Sequence, residues 1–321
     1  MALSKPISAV LAAALAIALT ATLAGAAWAQ ESPMPPEIAG KLKELGRVID
    51  PPNTALLYAP LQEKEPYRDV RIERDVKYGP ADRNLLDVFM PQTPAAGRPV
   101  LMFVHGGAFT RGNKTLPGTP FYDNVMLWAV KNGFVGVNIT YRLAPQSPWP
   151  AGAEDVAAAV QWVSDKIGEH GGDPARIYLM GHSAGAVQVA SYVSHPEFYK
   201  VGDGGLKGAI MVSGIYDLMA TPPADPERAY FGNDASRYAG QSSLTGLLRT
   251  SIPLMAVTAE LDPPVFGKQF DVLKQAACKR PGGCVRALLL PQHSHMSEVY
   301  SINTADTRLA SEILDFVKTG K

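Results

Sequence analysis

From residue 69 onward, short runs of consecutive apolar residues alternate with longer segments whose apolar positions recur every three or four residues. The continuous runs at 100–104, 134–139, 177–180, 209–212, 254–258 and 285–290 suit strands buried on both faces. The segments 121–132, 151–170, 184–194, 267–277 and 304–318 carry the helical period. Strand and helix in repeated alternation predict an α/β fold, a mostly parallel central sheet with helices on both faces. Ahead of it, 70–78 and 85–90 are β-rich and joined by Gly79-Pro80-Ala81-Asp82-Arg83-Asn84, which predicts an antiparallel N-terminal hairpin.

Two stretches break the alternation. Residues 31–68 are rich in Pro and Leu, and 217–248 contain Thr221-Pro222-Pro223-Ala224-Asp225-Pro226 with little periodicity. Both are expected to form a small cap over the carboxyl edge of the sheet, where ligands of open α/β folds bind. A decorated surface loop is the alternative for the second. The first thirty residues read differently again. Lys5 precedes a nearly unbroken run of Ala, Leu, Ile and Val over 7–23, and Ala27-Trp28-Ala29 offers small residues where a signal peptidase reads. The expected organisation is therefore a signal peptide over 1–29, an N-terminal extension over 30–68, and a catalytic domain over 69–321 with a cap insertion at 217–248. A retained membrane anchor is the competing reading of the apolar run. Cleavage near Ala29 implies export, to the periplasm or beyond, with no stable membrane association afterwards.

The 30 Lys and Arg balance the 30 Asp and Glu, and no basic run is present. That removes the electrostatic footprint of a nucleic-acid binder. Export also decides how the two cysteines read. Cys278 and Cys284 flank Lys-Arg-Pro-Gly-Gly, a turn-forming insert, so a disulfide is expected, stabilising by about 2 kcal/mol through so short a loop. Neither spacing nor context resembles a metal or redox motif.

The chemistry concentrates at Gly181-His182-Ser183-Ala184-Gly185, between a predicted strand and a predicted helix. A serine on so sharp a turn stands clear of the sheet, and glycines flank it because side chains there would collide with the turn. Ser183 is the expected nucleophile. His105-Gly106-Gly107-Ala108-Phe109 comes directly after the strand at 100–104. Attack on an acyl carbon creates an oxyanion, and the amides of Gly107 and Ala108 with that of Ala184 are the expected donors to it. Gly112-Asn113-Lys114-Thr115 nearly matches the end of a phosphate loop, but Asn113 breaks the spacing.

The base must come from six histidines, and chain order in this architecture puts it after the serine and the acid. His195 stands twelve residues along the same helix, about 18 Å from Ser183 at 1.5 Å per residue, which excludes it. His293 and His295 remain. His295 is preferred, leaving His293 to pack the loop or face solvent. Asp262, just past the strand at 254–258, is the expected acid that orients the ring. Glu260 and Asp217 compete with it, and the bland role of Asp217 is to cap the next segment of chain.

These motifs, with Tyr141-Arg142-Leu143-Ala144-Pro145 leading to Trp149-Pro150 and with Gly172-Asp173-Pro174-Ala175-Arg176-Ile177, resemble the α/β-hydrolase carboxylesterases related to hormone-sensitive lipase and the bacterial feruloyl-esterase-like group. The resemblance runs from about residue 70 to the end of the chain. It implies the α/β-hydrolase fold and hydrolysis of a small-molecule ester through an acyl-enzyme, without metal or cofactor. One departure is Ala108, where the family often has a third Gly; this disfavours the roomier variant that accepts tertiary-alcohol esters. Short, medium or aryl acyl esters are the expected substrates. An amidase or arylformamidase with the same triad, and a catalytically silent binding module, are the alternatives. Tyr141, Arg142 and Asp155 read as structural; Phe109 and Trp149 read as lining or packing residues at the mouth.

Overall fold

Each apolar run becomes a strand of one eight-stranded sheet in the computed structural model, which describes residues 1–2, 34–93, 95–280 and 283–320. The chain divides into a short unit over 1–30 and a large one over 31–321, and the large unit holds every strand and helix among the described residues. The apolar run at 7–23 and the cleavage signal at 27–29 lie outside the described residues. No helix among the described residues is long and apolar enough to cross a membrane.

The strands are β1 (Val70–Lys77), β2 (Leu85–Pro91), β3 (Arg98–Val104), β4 (Val135–Ile139), β5 (Gly172–His182), β6 (Gly208–Val212), β7 (Leu254–Leu261) and β8 (Arg286–Ser294). Their order in the sheet is β1-β2-β4-β3-β5-β6-β7-β8. β2 runs antiparallel to β1 and β4, and every other pairing is parallel. The hairpin and the parallel body thus match the apolar pattern.

The helices are α1 (Pro36–Leu45), α2 (Pro51–Tyr58), α3 (Asp123–Lys131), α4 (Ala151–Lys166), α5 (Ala184–Ser194), α6 (Glu227–Phe231), α7 (Tyr238–Gln241), α8 (Leu244–Leu247), α9 (Pro264–Cys278), α10 (Ser297–Tyr300) and α11 (Arg308–Thr319). A strand buried on both faces sends alternate side chains to opposite cores. Val100, Met102 and Val104 of β3 join one core with α4, α5 and α9; Leu101 and Phe103 join the other with α1, α3 and α11. α11 shows why its segment is helical: Leu309, Ala310, Ile313 and Phe316 are buried at helical spacing on one stripe.

Several boundaries differ from the apolar pattern. The segment 151–170 is α-helical to Lys166 and closes as a tighter turn over Ile167–His170. The last helix starts at Arg308 rather than 304, because residues 301–306 form a turn that holds Asp306 against His293. β5 begins at Gly172, five residues ahead of its apolar run, since Arg98 of β3 pairs with it there.

The described residues of the two stretches without periodicity, 34–68 and 217–248, form short helices and turns. In 31–68, α1 and α2 bury Ile38, Leu42 and Tyr58 in the α3–α11 core. In 217–248, the short helices α6 and α7 set Tyr230, Phe231 and Tyr238 in a third apolar cluster with Phe109, Ala184, Val187 and Phe266, and α8 buries Leu247 in the core with α4 and α5. Cys278, the last residue of α9, is joined to Cys284 by a disulfide.

Candidate active site

The residues singled out by chemistry lie past the carboxyl ends of neighbouring parallel strands: Gly107 and Ala108 after β3, Ser183 after β5, Asp262 after β7 and His295 after β8. Ser183 sits between β5 and α5 at φ 56° and ψ −123°, a left-handed conformation that costs a side-chain-bearing residue on the order of 1–3 kcal/mol. Its amide donates to the Val212 carbonyl at 2.8 Å, which ties the turn to β6. A Cβ on Gly181 would meet the Gly185 carbonyl, and one on Gly185 would meet the Val104 carbonyl. The turn is therefore possible only with glycine on both sides.

The loop after β3 is also left-handed, with φ of 129° at Gly107, 51° at Ala108 and 64° at Phe109. The Gly107 carbonyl accepts from the amides of Thr110 and Arg111, closing the turn. The amides of Gly107, Ala108 and Ala184 have no acceptor among the described residues. The amide of Ala184 is left open because it begins α5, whose first N–H groups lack intrahelical partners. Arg83 braces the loop, donating to the Gly112 carbonyl at 2.9 Å and to the Tyr141 carbonyl at 2.7 Å. The Tyr141 hydroxyl donates to the His105 carbonyl, and its ring stacks on that of His105. Burial, the main cause, drives His105 down to about 3, so it stays neutral.

His295 and Asp262 meet: Nδ1 lies 2.8 Å from Oδ1, and both side chains are buried. Asp262 Oδ2 accepts from Ser213 Oγ, Thr258 Oγ1 and the Ala259 amide. Burial alone would raise this carboxyl, but the bonds from His295, Ser213 and Ala259 outweigh it and hold it below the usual carboxylate range. Nε2 of His295 is buried and has no hydrogen-bond partner among the described residues, so no bond of 3.5 Å or less joins it to Ser183 Oγ. The ring is brought beside the serine turn by His182, whose Nε2 lies 2.8 Å from the His295 carbonyl, and by Phe266, whose ring centroid is 4.5 Å away.

The competitors point elsewhere. His293 is buried, with Nε2 3.2 Å from Asp306 and Nδ1 3.1 Å from Ser297 Oγ, so it packs the loop and does not face solvent. Glu260 is exposed and accepts from the Gln292 amide. Asp217 accepts from the amides of Met219 and Ala220, the capping role expected of it. Arg142 pairs with Asp155 at 2.9 Å, and the Phe109 ring stacks on Tyr230 at 4.6 Å. A cavity of 1040 Å³ opens away from this cluster, against Tyr67, which donates to Asp123, and against Arg74, Asp87, Lys114 and Asp123, whose charges are paired with one another.

One buried group carries no motif: Glu298, in the turn after His295, with both carboxyl oxygens within 2.9 Å of Ser213 Oγ. His182, His295 and Glu298 bring ligand-type atoms within 4.8 Å of one another. Nε2 of His182 is already engaged by the His295 carbonyl, which leaves a poor donor set for a cation. Only its helical spacing from His295, three residues on, could have marked Glu298 in the sequence.

The sequence model of the prolyl oligopeptidase family matches residues 150–319, more than half of the chain, and the model described as BD-FAE matches residues 86–197. Esterase LipQ of Mycobacterium tuberculosis is 28% identical over 263 residues, covering 76% of this chain and 61% of LipQ. The chain thus spans less than two thirds of that relative's length. Among solved structures, esterase B of Lactobacillus rhamnosis has a TM-score of 0.68 at 17% identity, covering 88% of this chain and 94% of that one. A bacterial heroin esterase has a TM-score of 0.64 at 24% identity, covering 89% and 98%. By sequence the chain belongs to the prolyl oligopeptidase family, and by fold to the α/β-hydrolases.

Proposed function

We propose that the protein is a serine carboxylesterase acting on small-molecule esters through an acyl-enzyme. The observation that carries the reading is the buried His295–Asp262 pair, its Nε2 left open beside a serine on a strained turn and three unpartnered amides. In the first step the Ser183 hydroxyl attacks the acyl carbon, its proton passes to Nε2, and the oxyanion takes hydrogen bonds from the amides of Gly107, Ala108 and Ala184. The alcohol leaves with the proton from His295. Water then repeats the sequence on the acyl-enzyme, releasing the acid and restoring the serine. The Oγ–Nε2 bond forms as substrate docks, since catalytic hydrogen bonds are often long without it. Each oxyanion donor is worth about 3 kcal/mol in the transition state.

Short, medium or aryl acyl groups fit best, because Phe109, Tyr230, Phe231 and Tyr238 fill the space beside Ala184 with packed rings. The residues 217–248 that supply three of these rings act as the cap. LipQ is named an esterase, which supports ester over amide. The match to the prolyl oligopeptidase family favours a second reading, amide hydrolysis by the same groups. The apolar run at 7–23 with Ala27-Trp28-Ala29 supports export after cleavage near Ala29.

Paired nitrophenyl esters and nitroanilides of two-, four- and eight-carbon acids test the reading. The expected result is ester turnover that declines with chain length and is lost by at least about a thousandfold in Ser183→Ala. Undiminished ester turnover in that variant removes the mechanism; anilide turnover exceeding that of the ester selects the second reading.

A further inference from the structure

Ser213 stands just after β6 with a φ of 52°, its amide held by the Val257 carbonyl, so its hydroxyl has little freedom of place. Three carboxyl oxygens surround that hydroxyl: Asp262 Oδ2 at 2.6 Å, and the two oxygens of Glu298 at 2.8 and 2.9 Å. A hydroxyl carries one proton. It can serve one carboxylate, and the other carboxyl must then bring a proton of its own, or two sets of lone pairs would face each other.

Counting donors decides which. Asp262 accepts from His295, Thr258 and the Ala259 amide in addition to Ser213, the environment of an ionised group. Glu298 is fully buried, and the only hydrogen-bond neighbour of its carboxyl among the described residues is Ser213. The titratable groups beside its carboxyl are Asp262, Tyr216, His182 and His295, the last already bonded to Asp262. Asp262 is negative; the phenol of Tyr216 is neutral; His182, 3.7 Å away, is pushed down to about 3, chiefly by burial. α2 and α3 pack on the same turn, but Asp123 and Lys131 of α3 are engaged by Arg74 and Glu63.

We propose that Glu298 is a neutral carboxylic acid that donates to Ser213 Oγ, so that the Ser213 proton is directed onto Asp262, making Glu298 a positioning residue for the His295–Asp262 pair. The inference deepens the esterase reading and rests on it for its kinetic consequences, though not for the protonation itself. Burial first, and the charge of Asp262 second, raise this carboxyl well above its ordinary value, in agreement with the hydrogen-bond count. The chain of donors runs from Glu298 to Ser213 to Asp262, and His295 joins from the other side. An ionised Glu298 would instead place a second negative charge against Asp262, with a single hydroxyl proton between the two carboxylates.

Infrared difference spectroscopy of the full-length protein at pH 7, wild type minus Glu298→Gln, tests the protonation directly. A protonated-carboxyl C=O band that shifts in D2O is expected, and its absence overturns the proposal. Should the variant not fold, wild-type protein carrying 13C-labelled glutamate must show the same band displaced by the isotope. On a nitrophenyl ester, Glu298→Leu should lose about tenfold in kcat with KM little changed, and Glu298→Gln should recover most of that loss because its amide can still donate. The alkaline limb of kcat caused by ionisation of Glu298 should be missing in Glu298→Gln. Loss in Glu298→Gln as large as in Glu298→Leu overturns the positioning role. A wild type with the infrared band but no esterase activity would count against the enzymatic reading alone.

Discussion

Asp262 collects four donors, and the bond from His295 Nδ1 fixes which imidazole nitrogen stays free for a substrate proton. Asp262→Asn should leave the fold intact and lower kcat by about 10⁴, because the amide cannot both keep these donors and hold that tautomer. Glu260→Gln and Asp217→Asn, whose carboxylates serve backbone amides and make no bond to the ring, should change kcat by less than about twofold; steady-state kinetics of the three variants check this. At this scale the placement of Ser183, Asp262 and His295 past the ends of β5, β7 and β8 was legible in the sequence, because chain order and strand ends restrict it. Glu298 was not legible. Its surroundings are assembled from β6, β7 and the loop after β8, and one sequence does not display which distant segments converge on a carboxyl. His293 was half legible: that His295 rather than His293 would meet Asp262 could be anticipated, the buried partner Asp306 could not.

The element that makes the site is the strand, turn and helix around Ser183. Gly185 lies where a Cβ would meet the Val104 carbonyl of β3, so α5 approaches the sheet through a backbone contact with no room for a methyl group. Gly185→Ala should cost about 1–3 kcal/mol and lower Tm by several degrees, with a larger loss of activity than of stability; calorimetry beside kinetics separates the two. The strands and α5 were legible because apolar runs and helical spacing survive in any context. α1 and α2 were not. Their stretch is rich in Pro and shows no period, yet Pro36 and Pro51 occupy the first turn, where a missing N–H removes nothing. Asp50 caps α2 by accepting from the Asn53 amide, a signal the sequence carried and the prolines masked. The short helices of 217–248 had no period to show, since they are held by rings packed on Phe109 and Ala184 from elsewhere in the chain.

For the whole molecule, buried neutral histidines couple the fold to pH. His105 and His182 are pushed down to about 3, with burial the largest cause, from an unfolded value of 6.5. Between these values the unfolded chain binds protons that the folded one refuses, so stability is lost as pH falls below 6.5. From pH 7 to pH 5 the loss is roughly 2 kcal/mol per histidine. Glu298 acts oppositely: raised in the fold, it keeps a proton that the unfolded chain gives up above 4.5, so its contribution shrinks as pH rises. Denaturant titrations at pH 5 and pH 7 should therefore show the wild type losing stability on acidification, and Glu298→Gln losing more. A wild type that is more stable at pH 5 would contradict the neutral histidines.

At the same scale, the central claim is that one hydroxyl, Ser183, is activated by a distant imidazole and faces open amides. The measurement that reaches it most directly is reaction with a fluorophosphonate, with peptide mass mapping of the product. One covalent adduct on Ser183 is expected, formed far more slowly in His295→Ala. A protein that stays unlabelled, or that carries its adduct on another serine, would contradict it.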